Sequence, residues 1–258
     1  MLEMIHSTAI VSPKAELGSG VEVGAYSVIG ENVKIGRGTK IGIRVLINGY
    51  TSIGKDCQIF TGAVIGSPPQ DLKYKKKKSY VRIGDNNTIR EYSTINPATD
   101  EEKETKIGNN NFIMAYSHIA HNCLLEDEII TANCTTLAGY VHLEKACIIG
   151  GLVAIHQFCR VGRYAIIGGC SKVTQDILPF SLTDGHPARP YGINKLGLKR
   201  HNFSPESIRT LNKAFFYLLG AKLNTSQAIK KIKETLPATS EIEYLLNFIS
   251  SAERGIAK

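Results

Sequence analysis

Apolar positions recur along this chain at every sixth residue. From Ile5 the step lands on Val11, Leu17, Val23, Ile29, Ile35, Ile41, Ile47, Ile53, Ile59 and Ile65. It resumes at Ile83, Ile89 and Ile95, and again from Ile107 through Val173. Of these 26 positions only Thr131 is not Ile, Leu or Val, and the next residue is often Gly, as at Gly24, Gly36, Gly54, Gly108 and Gly162. A period of six is neither a helix face nor the alternation of a two-sided sheet. It fits short strands joined by tight corners, each strand turning one aliphatic side chain into a shared interior. The pattern predicts an all-β parallel β-helix over residues 1–178. Three hexads would make one triangular coil, and coils would stack at the strand spacing of ~4.8 Å.

Two stretches, residues 66–82 and 96–106, interrupt the hexads, yet the register survives both. They are expected to be loops extruded from a corner of an unbroken coil, and loops on a rigid frame often carry function. Residues 179–203, rich in Pro and Gly, read as a connector. Beyond it the period becomes helical, predicting an α-helical domain over 204–258. Ser204 and Pro205 start a first helix with Pro at its first position, with Ile208, Leu211 and Phe215 inward and Gly220 as its stop. Ser226 is expected to open a second helix that Pro237 ends. Ser240 and Glu243 are expected to form the capping box of a third.

Charge adds a partner to this picture. The net charge of the 258 residues is +8, and residues 189–258 hold 12 Lys/Arg against 5 Asp/Glu. Such a basic face suits an acidic protein or a phosphorylated ligand, and four more lysines run through 75–78. No nucleic-acid-binding module accompanies the charge. No apolar run approaches the ~20 residues of a membrane span, and no leader pattern is present, so a cytoplasmic protein is expected. Cys57, Cys123, Cys147 and Cys159 each lie four residues after a register aliphatic. That placement predicts buried, inert thiols and neither disulfides nor a metal site.

Stacking also sets the candidate chemistry. Residues one coil apart are vertical neighbours, so His121, Gly139 and Gln157 share a column. His118 precedes His121 by three residues, and His156 adjoins Gln157. An imidazole base beside a backbone N–H is the minimum for acyl transfer to a hydroxyl, and Gly lets that backbone approach a ligand closely. His6, His142, His186 and His201 read as surface histidines without a role.

Specific motifs extend the reading. They are Gln70-Asp71-Leu72-Lys73-Tyr74, His118-Ile119-Ala120-His121, Leu137-Ala138-Gly139, Ile149-Gly150-Gly151, His156-Gln157-Phe158-Cys159, Gly168-Gly169-Cys170-Ser171 and Gly197-Leu198-Lys199-Arg200. By these the chain resembles the acyl-[acyl-carrier-protein]–UDP-N-acetylglucosamine O-acyltransferase family over essentially its whole length. The resemblance implies a left-handed coil, against the usual crossover rule, and a homotrimer with sites in the clefts between subunits. It implies transfer of an acyl or 3-hydroxyacyl group to the 3-hydroxyl of UDP-N-acetylglucosamine, the first step of lipid A biosynthesis. The acyl group would arrive on the phosphopantetheine of acyl carrier protein, with no further cofactor and no metal. His121 would be the general base and the Gly139 N–H the oxyanion donor. Asp71, Lys73, His118, His156 and Gln157 would hold the sugar nucleotide and acyl group, with Asn194 and Arg200 on the nucleotide or its phosphates. Gly169 would leave room in the acyl pocket, and the basic helices would receive acyl carrier protein.

Two positions depart from the family pattern. Asn122 follows the catalytic His where the family usually has Asp, and Tyr140 follows the oxyanion Gly where it usually has His; the two stack one coil apart. His201 also stands where a second Arg is expected. Losing the carboxylate weakens the support of the base, which leaves two alternatives open. One is an N-acyltransferase acting on a UDP-3-amino sugar, and the other is a paralogue that binds sugar nucleotides with little turnover. A zinc hydratase of the same fold, with three imidazoles converging between subunits, would leave the helical domain and its charge without a purpose.

Overall fold

The structure, a computed structural model, describes residues 5–258, and the first four residues of the expected 1–178 β-helix lie outside them. Short strands run from β1 (Ile10–Val11) to β25 (Lys172–Val173), and each ends on a residue of the six-residue register. Every third strand joins the same parallel sheet, giving three faces of a prism. Partners within a sheet lie 18 residues apart where the coil is regular, as in Ile47 with Ile65 and Leu137 with Ile155. Across the two loops the offset grows to 30 for Ile65 with Ile95 and to 24 for Ile95 with Ile119. Both additions are whole hexads, so the same side chains keep pointing inward.

Register residues from Val23 onward are buried, Thr131 among them. Ile5 is 41 % exposed, and Val11 and Leu17 are half-buried, because these coils form the open end of the stack. At many corners the residue three places after the register aliphatic adopts a left-handed conformation, as at Asn122 (φ 59°), Tyr140 (φ 60°) and Phe158 (φ 67°). That conformation costs a non-glycine residue ~1–2 kcal/mol. It turns the corner N–H down the stack, where Tyr140 donates to the His121 carbonyl and Phe158 to the Gly139 carbonyl. The four expected interior thiols are buried, and burial pushes Cys123 up to about 12 and Cys159 to about 11. They stay protonated and unreactive.

Some boundaries differ from expectation. Tyr80–Ile83 and Glu104–Ile107 are four-residue strands paired with each other, so the loops close at 79 and 103, short of 82 and 106. Val81 and Thr105 are fully buried there and add a second inward side chain to each strand. The 179–203 connector is ordered. It contains an antiparallel hairpin, β26 (Ser181–Gly185) and β27 (Ala188–Ile193), which extends one face of the prism, followed by helix α1 (Lys195–Arg200). Its Pro and Gly residues disguised it as a linker.

Helix α2 (Pro205–Phe215) is capped by Ser204 and continues into wider π-helical turns over Phe216–Gly220. Helix α3 (Thr225–Thr235) starts from Asn224, whose side chain forms a reciprocal capping box with Gln227, so Ser226 is not the cap. Helix α4 (Ser240–Ser250) is capped by Thr239 through the Ile242 N–H, one residue ahead of Ser240. In both cases neighbouring residues share the same capping chemistry, and only the backbone path selects between them. The helices seat on the last coils. Arg160 lies 3.8 Å over the Phe248 ring and Arg163 3.5 Å over the Tyr244 ring, and the Tyr244 hydroxyl donates to Glu144.

Candidate active site

The strand His118–Ile119 sends Ile119 into the prism and leaves His118 on the outer face; His121 opens the corner that follows. His121 is buried, 9 % exposed, and its side chain lies against the corner of the next coil. A Cβ on Gly139 would stand 2.6 Å from His121 Nε2 and 2.9 Å from Nδ1. Among the described residues the Gly139 N–H has no hydrogen-bond acceptor. The column expected from stacking therefore exists, and the imidazole packs directly on a free backbone donor.

Asn122 fixes which imidazole nitrogen carries the proton. Asn122 Oδ1 accepts from the Thr99 N–H and the Thr99 hydroxyl, both at 3.0 Å. A backbone N–H only donates, so this end of the amide is the oxygen. His121 Nδ1 lies 2.9 Å from the same oxygen and must therefore be the protonated nitrogen. In the neutral ring the lone pair is then on Nε2, which faces the Asp71 carboxylate at 3.9 Å.

A cleft of ≈ 550 Å³ opens in front of this ring. Its floor comes from the coils, with His118, His121, Gly139 and Gln157, and its rim from the first loop, with Gln70, Asp71, Leu72 and Lys73. The loop is fastened to the coil by Asn96, whose Nδ2 donates to the Ser67 carbonyl at 2.9 Å and to Pro68 at 3.3 Å. Asp71 Oδ1 accepts the Lys73 N–H at 2.8 Å, which turns the chain at the rim.

His118 Nδ1 lies 2.7 Å from the Thr94 hydroxyl. Burial, and after it the neighbouring His121, hold His118 below the ordinary histidine range. It is neutral near pH 7 and offers the cleft a hydrogen-bonding group without a charge. The unfolded chain takes up this proton first as pH falls below 6.5, so acidification lowers stability until pH passes below the folded value. Thermal melts of His118→Gln are expected to lose less stability than wild type between about pH 7 and about pH 5. Parallel curves would show that His118 contributes nothing to the acid sensitivity.

The other expected site residues are dispersed over one protomer. His156 adjoins the cleft residue Gln157 but is exposed, with Nδ1 3.3 Å from Arg254 Nη2. Gly169 stands on a different corner column, where a Cβ would lie 3.2 Å from the Gly151 carbonyl oxygen. Asn194 stacks on the third column, where its N–H donates to the Phe180 carbonyl, and each end of its amide has a partner within the chain. Its Oδ1 accepts the Gly197 N–H at 3.0 Å to cap α1, and its Nδ2 donates to the Tyr164 carbonyl at 2.9 Å. Arg200 is exposed in the last turn of α1. Sequence reasoning missed Thr99 and Asp100. No stacking rule reaches them, because the second loop shifts the register offset.

The family described as "Udp N-acetylglucosamine O-acyltransferase; Domain 2" matches residues 176–257, and "Bacterial transferase hexapeptide (six repeats)" matches 104–139. A protein of Thermodesulfovibrio yellowstonii named acyl-[acyl-carrier-protein]–UDP-N-acetylglucosamine O-acyltransferase is 52 % identical over 98 % of this chain and 99 % of its own. The chain belongs to that O-acyltransferase family. A second family enzyme, from Herminiimonas arsenicoxydans, is 46 % identical across 100 % of both chains. The solved UDP-N-acetylglucosamine acyltransferase of Bacteroides fragilis superposes with a TM-score of 0.95 at 40 % identity, covering 99 % of this chain and 100 % of that one. The chain is thus an acyltransferase built on the left-handed β-helix of its family, and the hydratase reading is set aside.

Proposed function

We propose that this enzyme transfers a 3-hydroxyacyl group from the phosphopantetheine of acyl carrier protein to the 3-hydroxyl of UDP-N-acetylglucosamine, the first step of lipid A biosynthesis, with His121 as general base. The observation that carries the proposal is the His121 ring seated on Gly139, with Nδ1 held by Asn122 Oδ1 and Nε2 turned to Asp71 across the cleft. The sugar hydroxyl gives its proton to Nε2 as its oxygen attacks the thioester carbonyl carbon. The carbonyl oxygen gains the negative charge and accepts the Gly139 N–H. Collapse of the tetrahedral intermediate breaks the C–S bond, and the departing thiolate recovers the proton from the imidazolium. Asp71, opposite Nε2, offsets the positive charge while it lasts. His118, Gln157 and Lys73 line the same cleft and would orient the substrates.

The dispersed residues fit a homotrimer. Gly169 and Asn194 lie on corner columns other than that of His121 in the same prism, and Arg200 lies on α1, which Asn194 caps. A neighbouring prism would bring another column against the cleft, with Gly169 leaving room for the acyl chain and Arg200 for the nucleotide phosphates. Asn194 would act there through its cap on α1, by fixing the segment that carries Arg200. The excess of basic residues after 189 suits docking of an acidic carrier protein.

The test is an acyl-transfer assay with 3-hydroxyacyl carrier proteins of several lengths. UDP-N-acetylglucosamine and its 3-amino analogue are offered in parallel. Ester product is expected. Amide product alone would move the enzyme to the amine-using class, and no product from folded protein would leave a binding paralogue.

A further inference from the structure

The residue that replaces the usual carboxylate beside the base has a carboxylate of its own. Asn122 Nδ2 donates to Asp100 Oδ2 at 3.3 Å, and the Tyr140 hydroxyl donates to the same oxygen at 2.7 Å. Asp100 sits in the second loop, 96–103, next to Thr99, which holds the oxygen end of Asn122. One short loop segment thus grips both ends of a single amide. The two departures from the family pattern, Asn122 and Tyr140, meet at this one oxygen. Asp100 is not part of the cleft lining; it reaches His121 through Asn122 and through Tyr140, whose ring stands edge-on to the imidazole at 5.4 Å.

An asparagine alone is a poor support for a general base. Its oxygen and nitrogen ends are nearly isosteric, and turning the amide over would present Nδ2 to His121 Nδ1. The ring would then have to carry its proton on Nε2, and the base would be lost. An ionised carboxylate only accepts, so Asp100 accepts one orientation of Asn122 and repels the other. Tyr140 remains protonated to donate in turn, because burial, and behind it the Asp100 carboxylate, raise its phenol above the ordinary range. The stacked Phe158 ring, 4.8 Å from Tyr140, holds the phenol in place.

We infer that Asp100 is a positioning residue for the transfer reaction: by fixing the amide of Asn122 it sets the tautomer and the aim of His121. The inference rests on the reading of His121 as the base. The carboxylate that the family usually places next to the base is here one hydrogen bond further out, supplied by a loop.

Steady-state kinetics and ¹⁵N NMR of histidine-labelled enzyme test this together, with the His121 signal identified by its loss in His121→Ala. Wild type is expected to show His121 protonated on Nδ1. With Thr99 left as the one restraint on the amide, Asp100→Ala is expected to show a minor Nε2-protonated population of His121 and a fall in kcat of about tenfold, the size of losing one hydrogen bond to a charged group. KM for both substrates should stay within about twofold, since Asp100 lies outside the cleft. The isosteric Asp100→Asn, which keeps the loop folded, is expected to fall between Asp100→Ala and wild type. An unchanged tautomer and kcat in Asp100→Ala would overturn the inference. So would a loss appearing only in KM or only in thermal stability. Activity surviving in His121→Ala overturns the base assignment instead, and the imidazole spectrum still decides whether Asp100 sets the tautomer.

Discussion

His121→Ala is expected to lower kcat by about 10²–10⁴-fold, the range contributed by a positioned general base. The loss should fall on kcat more than on KM. His121 is one of several groups lining the cleft, and the interaction removed is the one made as the hydroxyl proton leaves. Stability should change little, because the ring stands at a corner outside the aliphatic interior and Asn122 Oδ1 keeps both Thr99 donors. The measurement is initial-rate kinetics on purified variant and wild type, with a thermal melt of each. A variant within about tenfold of wild-type kcat would remove His121 from the role of base.

Gly139→Ala is expected to be nearly as damaging for a different reason. Gly139 is not in the left-handed region, so a Cβ brings no backbone strain. What the Cβ meets is the imidazole, with Nε2 at 2.6 Å and Nδ1 at 2.9 Å. The ring is the mobile end of a side chain and can swing aside, which keeps the fold. It then leaves its bond to Asn122 and its place over the backbone donor. A displacement of about 1 Å at a reacting group can cost about 10²-fold, so kcat is expected to fall by about that factor or more. Unfolding free energy should stay within about 1 kcal/mol of wild type. Equal losses of activity and stability would instead mark Gly139 as a structural glycine.

The departures at Asn122 and Tyr140 are easier to read once the second loop is in place. From the sequence they look like a weakened site, a carboxylate and an imidazole exchanged for an amide and a phenol. In the folded chain both exchanged groups bond to Asp100. One carboxylate thus reaches the base through both of them. An amine acceptor stays the sharpest alternative outcome of the transfer assay, since it asks less of the base.

The six-residue period by itself determined the coil, the three faces and the residues that fill the interior. One inward aliphatic per short strand is a local requirement, repeated at every step, and it needs no knowledge of distant contacts. The same arithmetic put His121 over Gly139, because stacking converts a fixed sequence offset into a fixed contact. The buried thiols and the first helix cap were legible for similar local reasons. Only the tertiary structure decided what lies off that arithmetic. The hairpin inside the connector stacks on the Ile166–Ile167 strand with Ile166 opposite Leu182, off the 18-residue offset, which its Pro and Gly content does not announce. Asn194, expected to contact the nucleotide, has each polar end bonded within the chain, capping α1 and bonding Tyr164. Asp100 and Thr99 reach the site from a loop whose length obeys no repeat, so their contacts depend on the path of the chain through space and not on its period.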